Sequence, residues 1–496
     1  MDTKFKLKGN FFAGKFHTKI NSQLKKQGAF LQKLDPGNLQ TCLWETPIYY
    51  DEIEEVVDSA SEGFKQWKKY SLEKRILCLK RYQQQVKKRQ EEMSLAIAFE
   101  TGKPLNESRA EVLSVIAKVE VTINLAQEKI TPKFYPDMRP GEKGQVVYNP
   151  LGIALIIGPF NFPCHLANGQ LVSSLLAGNS IIFRPSEKTL YSAQLLMECL
   201  SEAEFPKGVV NFIAGDAEVA QRLVKHKDVK LIHFTGSKEV GKKILAATYS
   251  DLTKLVCLEL GGKNTTVIHQ DTKITESVLE ELVQSCFLTT GQRCVSTSII
   301  ALHESLYSSF LSQFHQKAKE LTIGHPLLDS PAPFMGPLID QTAVDSYLLF
   351  MGIAKREGFE EVMRGKFLER PLQGHYVSPS IHTTSNLSLL GGVFGQSEIF
   401  GPNVTVVPYK ELEEAINVAN GTEYGLACSV FTQEDEVFST CLENIECGIL
   451  NRNRSTVGAS ALLPFGGVKS SGNYRPAASS CLDSCVYPIS SLLKGY

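Results

Sequence analysis

The stretch Thr289–Ile300, TTGQRCVSTSII, places a single cysteine, Cys294, directly after Gly-Gln-Arg and before a short β-prone run. Glycine allows a tight turn and close backbone approach, so a thiol set after one can face a cleft. A thiolate is the nucleophilic form of cysteine, and a nearby cation favours it; Arg293 is the local candidate. A lone thiol is more often a small buried hydrophobe, so Cys294 gains weight only with a partner. LELGGKN, Leu258–Asn264, supplies one: a carboxylate, Glu259, closing an apolar run ahead of two glycines. A thiol and a carboxylate that meet in one cleft are a nucleophile and a general base.

At 496 residues the chain exceeds what one core supports, since single cores rarely grow past about 250–300 residues. It is 43% hydrophobic and 21% charged, with net charge −1. That balance argues against bulk attraction to nucleic acid or to a membrane surface. The twelve cysteines form no CxxC pair and the ten histidines show no HExxH spacing, so no metal is expected. Free thiols in such number suit a reducing cytosol. The N-terminus lacks the apolar core of a signal peptide, and no run reaches membrane-spanning length.

The elements that must carry the site follow from periodicity. Residues 50–130 read as helices, with apolar positions at three- to four-residue spacing; one is expected over Leu72–Met93. The run KRYQQQVKKRQEE reads as a solvated helix face, and ETGKP as a structural turn. Residues 129–150 carry four prolines and no helical period, and GQVVYNP reads as a strand. From Leu151 strands and helices alternate: LGIALIIGP, NSIIFRP, GVVNFIAG, VKLIHFTG and KLVCLEL are strands with helices between. Continuous apolar strands in this alternation predict a parallel, doubly wound α/β sheet. Ligands then sit beyond the carboxyl ends of the strands, where the candidate residues are expected. The usual GxGxxG dinucleotide fingerprint is absent after the first strand.

The pair LELGGK and GQRC, in that order, resembles the aldehyde dehydrogenase superfamily, in which these motifs carry the base and the nucleophile. The resemblance runs through nearly the whole chain. It implies two doubly wound α/β domains and a small β oligomerisation arm: residues 1–128 and 151–258 binding NAD, 259–455 catalytic, and 129–150 with 477–496 forming the arm. It also implies a homo-oligomer, dimer or tetramer, whose C-terminal tail adds to a neighbouring subunit's sheet.

Residue by residue, the resemblance makes Cys294 the nucleophile, Glu259 the base, and Asn161 of GPFNFP the oxyanion donor, beside Phe160 on the cofactor. Glu187 of FRPSEKT matches the carboxylate on the adenosine ribose, next to Arg184, where the family usually carries lysine; NAD is expected, with NADP the alternative. Gly236, Ser237 and Gly241 of FTGSKEVG open a helix suited to pyrophosphate. Leu260 follows the base, and Glu398 and Phe400 of SEIFGP match the nicotinamide-ribose contacts. Phe465 of PFGG matches an aromatic of the aldehyde channel.

Segments such as GPFNFPCHLANG and SGNYRP look closest to the branch that oxidises succinylglutamate semialdehyde, a small aldehyde with two carboxylates. Arginine suits carboxylates, so Arg293, Arg454 and Arg475 are the substrate candidates; Arg452 stands where that branch would have an aromatic. The alternatives are another anionic semialdehyde such as glutamate 5-semialdehyde, a CoA-acylating dehydrogenase, or a non-catalytic relative.

Overall fold

A computed structural model describes residues 4–18, 30–473 and 476–494. The chain builds two seven-stranded sheets and a three-stranded arm. In the first sheet, Leu255–Glu259, Val229–Thr235, Ile153–Ile157, Ser180–Arg184 and Val210–Phe212 lie side by side in that order, all parallel. Their apolar runs are buried on both faces, the condition for a parallel sheet under helices. The hairpin Asn10–Phe12 and Lys15–His17 extends the far edge antiparallel. Strand order reverses between Ile153–Ile157 and Val229–Thr235, which opens a crevice at their carboxyl ends.

The ETGKP turn ties the helical layer to this sheet. Gly102 ends the helix Gln90–Thr101 in the left-handed conformation, φ 77°. Glu100 is buried and accepts from the indole of Trp44 and the backbone N–H groups of Tyr191 and Ser192, at the start of the helix Leu190–Ser201. A carboxylate there meets unpaired helix N–H groups and the positive end of the dipole. Lys103 and Glu111 form a fully buried ion pair at 2.8 Å.

The second sheet runs Glu360–Met363, Ser380–Thr383, Asn403–Tyr409, Thr297–His303, Asn264–Ile268, Ala427–Phe431 and Ile449–Arg452. It is parallel except for its first strand. The chain crosses from the first sheet to the second through residues 260–263. It returns near its end, where Leu260 N–H donates to the Ser471 carbonyl at 2.9 Å and Asn473 pairs with the edge strand at Leu258 and Val256. No helix among the described residues is long and apolar enough to cross a membrane.

Several expectations need correction. The helix foreseen over Leu72–Met93 breaks at Arg89 into Leu72–Lys88 and Gln90–Thr101. The strands before residue 50, including the hairpin Phe30–Asp35 with Asn38–Pro47, were not foreseen. The C-terminal strand Val486–Lys494 pairs antiparallel with this chain's own Glu142–Pro150, beside Lys133–Arg139, and forms one edge of that three-stranded sheet. Residues 481–485 do not belong to the arm: Cys481, Leu482 and Cys485 are packed in the core of the first domain. They also bring Cys481 and Cys485 together with His233, ligand-type groups that sequence spacing did not connect.

Gly63, in the helix Glu52–Trp67, lies against the Gly208–Val209 backbone, and a Cβ there would stand 2.1 Å from the Gly208 carbonyl carbon. Backbone cannot step aside as a side-chain tip can. Gly63→Ala is therefore expected to lose about 1–3 kcal/mol of stability, read as a lower urea midpoint at unchanged m-value; an unchanged midpoint would contradict this packing.

Candidate active site

The loop that carries Cys294 follows the helix Glu276–Phe287. Thr289, Thr290 and Gly291 take φ values of 54°, 56° and 70° in succession. Left-handed backbone is natural for glycine and disfavoured for a β-branched threonine, so two strained residues must be held from outside. Glu107, on the helix Leu105–Lys129, does this: its carboxylate accepts from Thr289 N–H at 3.1 Å, Thr289 Oγ1 at 2.6 Å and Arg293 Nη2 at 2.5 Å. Thr290 Oγ1 donates to the Gly336 carbonyl. Gly291 packs so closely on Gly401 that a Cβ would stand 2.2 Å from its carbonyl oxygen. Cys294 emerges from this brace, and Asn264 Nδ2 fixes its carbonyl at 2.8 Å.

Glu259 ends the strand Leu255–Glu259 with 2% exposure, and neither carboxylate oxygen has a hydrogen-bond partner. Burial raises its carboxyl well above the ordinary range, with no donor to oppose the shift. Gly261 and Gly262 then pass between two other site residues. A Cβ on Gly261 would lie 1.9 Å from Glu398 Oε2, and one on Gly262 would lie 2.5 Å from the Cys294 carbonyl oxygen. Glu398 accepts from Gly262 N–H at 3.0 Å, and burial pushes it up to about 7. The Cys294 thiol is pushed above its usual value by burial first, then by Glu259 and Glu398; Arg293 opposes this only weakly. Asn161 Nδ2 donates to the Gln292 carbonyl, two residues before the thiol, at 2.9 Å.

These groups line a cavity of about 1100 Å³ that continues along the carboxyl edge of the first sheet. Phe160 and Phe400 meet edge to face at 5.8 Å, and Lys188 bridges the two domains to Asp340 at 2.5 Å. Further along, Arg184 is 6% exposed and donates to the Gly215 carbonyl at 2.6 Å and Glu187 at 3.0 Å; its Nε is buried without a partner. Gly236 and Ser237 form the wall where the helix Lys238–Thr248 begins, capped by Ser237 Oγ. Gly241 lies under Leu260, where a Cβ would be 2.9 Å from the leucine side chain.

The expectation that site residues fall at carboxyl strand ends holds for one sheet only. Asn161, Arg184, Gly236 and Glu259 follow or end first-sheet strands, whereas Cys294 and Glu398 precede the strands Thr297–His303 and Asn403–Tyr409. The cavity lies between the carboxyl edge of one sheet and the amino edge of the other.

The substrate arginines fare differently. Arg293 is committed to Glu107 and Thr289 and lies over the Phe162 ring, so it braces the loop and offers no free charge to a ligand. Arg454 is exposed and donates to its own loop at the Gly458 carbonyl. Arg452 pairs with Asp435 at 2.5 Å. Arg475 lies outside the described residues. Phe465 packs in the small apolar cluster that includes Cys294. Glu107, Lys103 and Glu111 had been read only as helix and turn residues. The available signal was a pair of glutamates four apart, which share one helix face, in a stretch whose apolar neighbours are buried.

Known proteins resemble this chain along most of its length. Residues 25–487 match the model of the aldehyde dehydrogenase family. An N-succinylglutamate 5-semialdehyde dehydrogenase of Novosphingobium aromaticivorans is 35% identical over 446 residues, covering 89% of this chain and 92% of the relative. One of Chromohalobacter salexigens is 34% identical over 93% of this chain and 92% of its own. Among solved structures, a Thermus 1-pyrroline-5-carboxylate dehydrogenase with bound NAD superposes with TM-score 0.88 at 28% identity, covering 98% of this chain and 93% of that one. A Staphylococcus aureus betaine aldehyde dehydrogenase in complex with NAD+ gives 0.90 at 25% identity, covering 98% and 96%. The chain belongs to the aldehyde dehydrogenase family.

Proposed function

We propose that the protein oxidises an aldehyde to a carboxylic acid with NAD, through a covalent thioester on Cys294, and that its substrate is N-succinyl-L-glutamate 5-semialdehyde. The observation that carries the reaction is one cavity wall bearing Cys294, Glu259 and Glu398 and running on to Arg184 and Glu187. The substrate rests on the relatives that bear that name. A homo-oligomer formed through the arm belongs to the same reading, supported by the exposed Phe134 and Leu492, as does a reducing compartment, in which all twelve cysteines stay unpaired.

The residues fit the cofactor. The unpartnered Arg184 Nε and the Glu187 carboxylate suit ribose hydroxyls, and the helix opened by Ser237 suits phosphate. Glu187, tied back to Arg184, repels a 2′-phosphate, so NAD is favoured over NADP. The nicotinamide, when bound, supplies the hydride acceptor. Cys294 attacks the aldehyde carbon, and the Asn161 amide turns from the Gln292 carbonyl to the developing oxyanion. After oxidation the acyl group remains on sulfur. Glu259, with both oxygens free, takes a proton from the water that hydrolyses it.

Cys294→Ala is expected to remove turnover by about 10³-fold or more, while Glu259→Gln slows the steady state by about 10²–10⁴-fold and leaves a burst of NADH. A burst-free Glu259→Gln enzyme with an undiminished steady state would refute the base.

Stability gives a second readout of the same carboxyl. The folded-state pKa of Glu259 lies above its unfolded value, so the folded form holds the proton longer and stability is lost as pH rises above about 4.3. Glu259→Gln should raise Tm at pH 8 and change it little at pH 4.5.

Glu107→Ala should lower kcat by about 10–10²-fold through misplacement of the thiol, with slower alkylation of Cys294 and little change in KM for NAD. Equal alkylation rates would separate Glu107 from the nucleophile.

For the substrate, NADH formation from succinylglutamate semialdehyde should exceed that from small neutral aldehydes in kcat/KM, and NAD should exceed NADP. Parity in either comparison would overturn that part.

A further inference from the structure

With Arg293 and Arg454 engaged elsewhere, a carboxylate-bearing aldehyde needs another cation. Lys118, on the helix Leu105–Lys129, is 4% exposed, and its ammonium donates no hydrogen bond among the described residues. A buried lysine is ordinarily paired, because an isolated ammonium away from water is strongly disfavoured. Lys103, just before the same helix, obeys that rule through Glu111; Lys118 does not.

The neighbourhood is shaped around it. Across the helix contact stands Gly169, where a Cβ would lie 3.2 Å from Lys118 Cε, so the missing side chain makes room for the lysine. One turn earlier on the same helix, His165 carries an Nδ1 that is buried without a partner. Burial, followed in part by the charges of Lys118 and Lys103, keeps that imidazole neutral, down to about 4. A neutral imidazole can donate one hydrogen bond to an anion without adding charge. Glu111 also faces His165, but its carboxylate is held by Lys103 and by the N–H groups of Cys164 and His165.

The group is anchored to the loop that carries Asn161. His165 begins the helix His165–Ala177 four residues after Asn161. Phe465 packs with Cys294 and pairs with Ala477, and the turn Cys481–Cys485 that follows brings Cys481 into electrostatic reach of Lys118. Lys118 and His165 are thus tied to the helix that follows Asn161, and neither lines the cofactor cavity.

We propose that Lys118, with His165 beside it, is the anion subsite that receives a carboxylate of the aldehyde substrate. This rests on the reading of the substrate as an anionic semialdehyde. The ammonium contributes a compact charge with three donors, the imidazole one directional donor, and a bound carboxylate relieves the isolation of the charge.

The test compares the full-length enzyme with Lys118→Met, Lys118→Gln and Lys118→Arg on succinylglutamate semialdehyde, succinic semialdehyde and the neutral pentanal. Lys118→Met is expected to lose about 10²-fold in kcat/KM on the anionic aldehydes, mostly in KM, with pentanal unchanged and Lys118→Arg recovering part of the loss. Its Tm should rise, because an unpaired buried charge has gone; Lys118→Gln repeats the comparison with a polar side chain. An anionic-to-neutral ratio that stays constant across the variants overturns the subsite, as does an equal loss on pentanal. If the wild type prefers succinic over succinylglutamate semialdehyde but the ratio still collapses in Lys118→Met, the substrate assignment falls and the subsite stands.

Discussion

Two peptide groups without side chains hold the site together. Gly261 and Gly262 run between the Glu398 carboxylate and the Cys294 carbonyl with no space for a Cβ on either. This crossing joins the carboxyl edge of the first sheet to the amino edge of the second. It sets how closely the Glu259 carboxyl on one sheet can approach the Cys294 thiol beside the other. The strand registers and helix layers on both sides deliver their ends to that contact. A methyl group there would push apart the two halves of the cavity.

Charge is distributed by depth around this contact. Behind Cys294, acids and bases are saturated: Glu107 holds Arg293 and Thr289, Glu111 holds Lys103 and two backbone donors, and both cations lie over the Phe162 ring. These links stiffen a loop whose threonines sit in disfavoured backbone conformations. Facing the cavity, Glu259 has no donors at all and Glu398 only one. Burial then drives those groups and the Cys294 thiol toward neutrality. The rigid part of the site is electrostatically satisfied, and the reactive part is left to be satisfied by what binds.

Legibility in the sequence followed the range of the interactions. Ile153–Ile157 and Val229–Thr235 were readable as strands because burial on both faces leaves an unbroken apolar run. The cysteine and glutamate motifs were readable because their glycines answer local demands of the backbone. The arginines were not: Arg293 finds Glu107 across 186 residues, and no local pattern shows whether a guanidinium is spent on a distant acid or kept for a ligand. Strands of three residues, such as Asn10–Phe12, are too short to show alternation. The amino-edge position of Cys294 was missed because the rule for ligands at parallel sheets describes one sheet, and here two sheets face each other.

The return of the chain's end to the first domain bears on the order of assembly. Asn473 completes the edge strand of the first sheet, and Cys481, Leu482 and Cys485 fill its core. Synthesis runs from the N-terminus and domains tend to close as units, yet this one lacks part of its interior until residues 473–485, which follow the whole second sheet, have left the ribosome. The second domain, whose strands span Asn264–Arg452, has all of its sheet available earlier. The later half of the translated chain can therefore mature before the earlier half, and the nascent first domain must wait with an apolar gap that holdase chaperones would recognise.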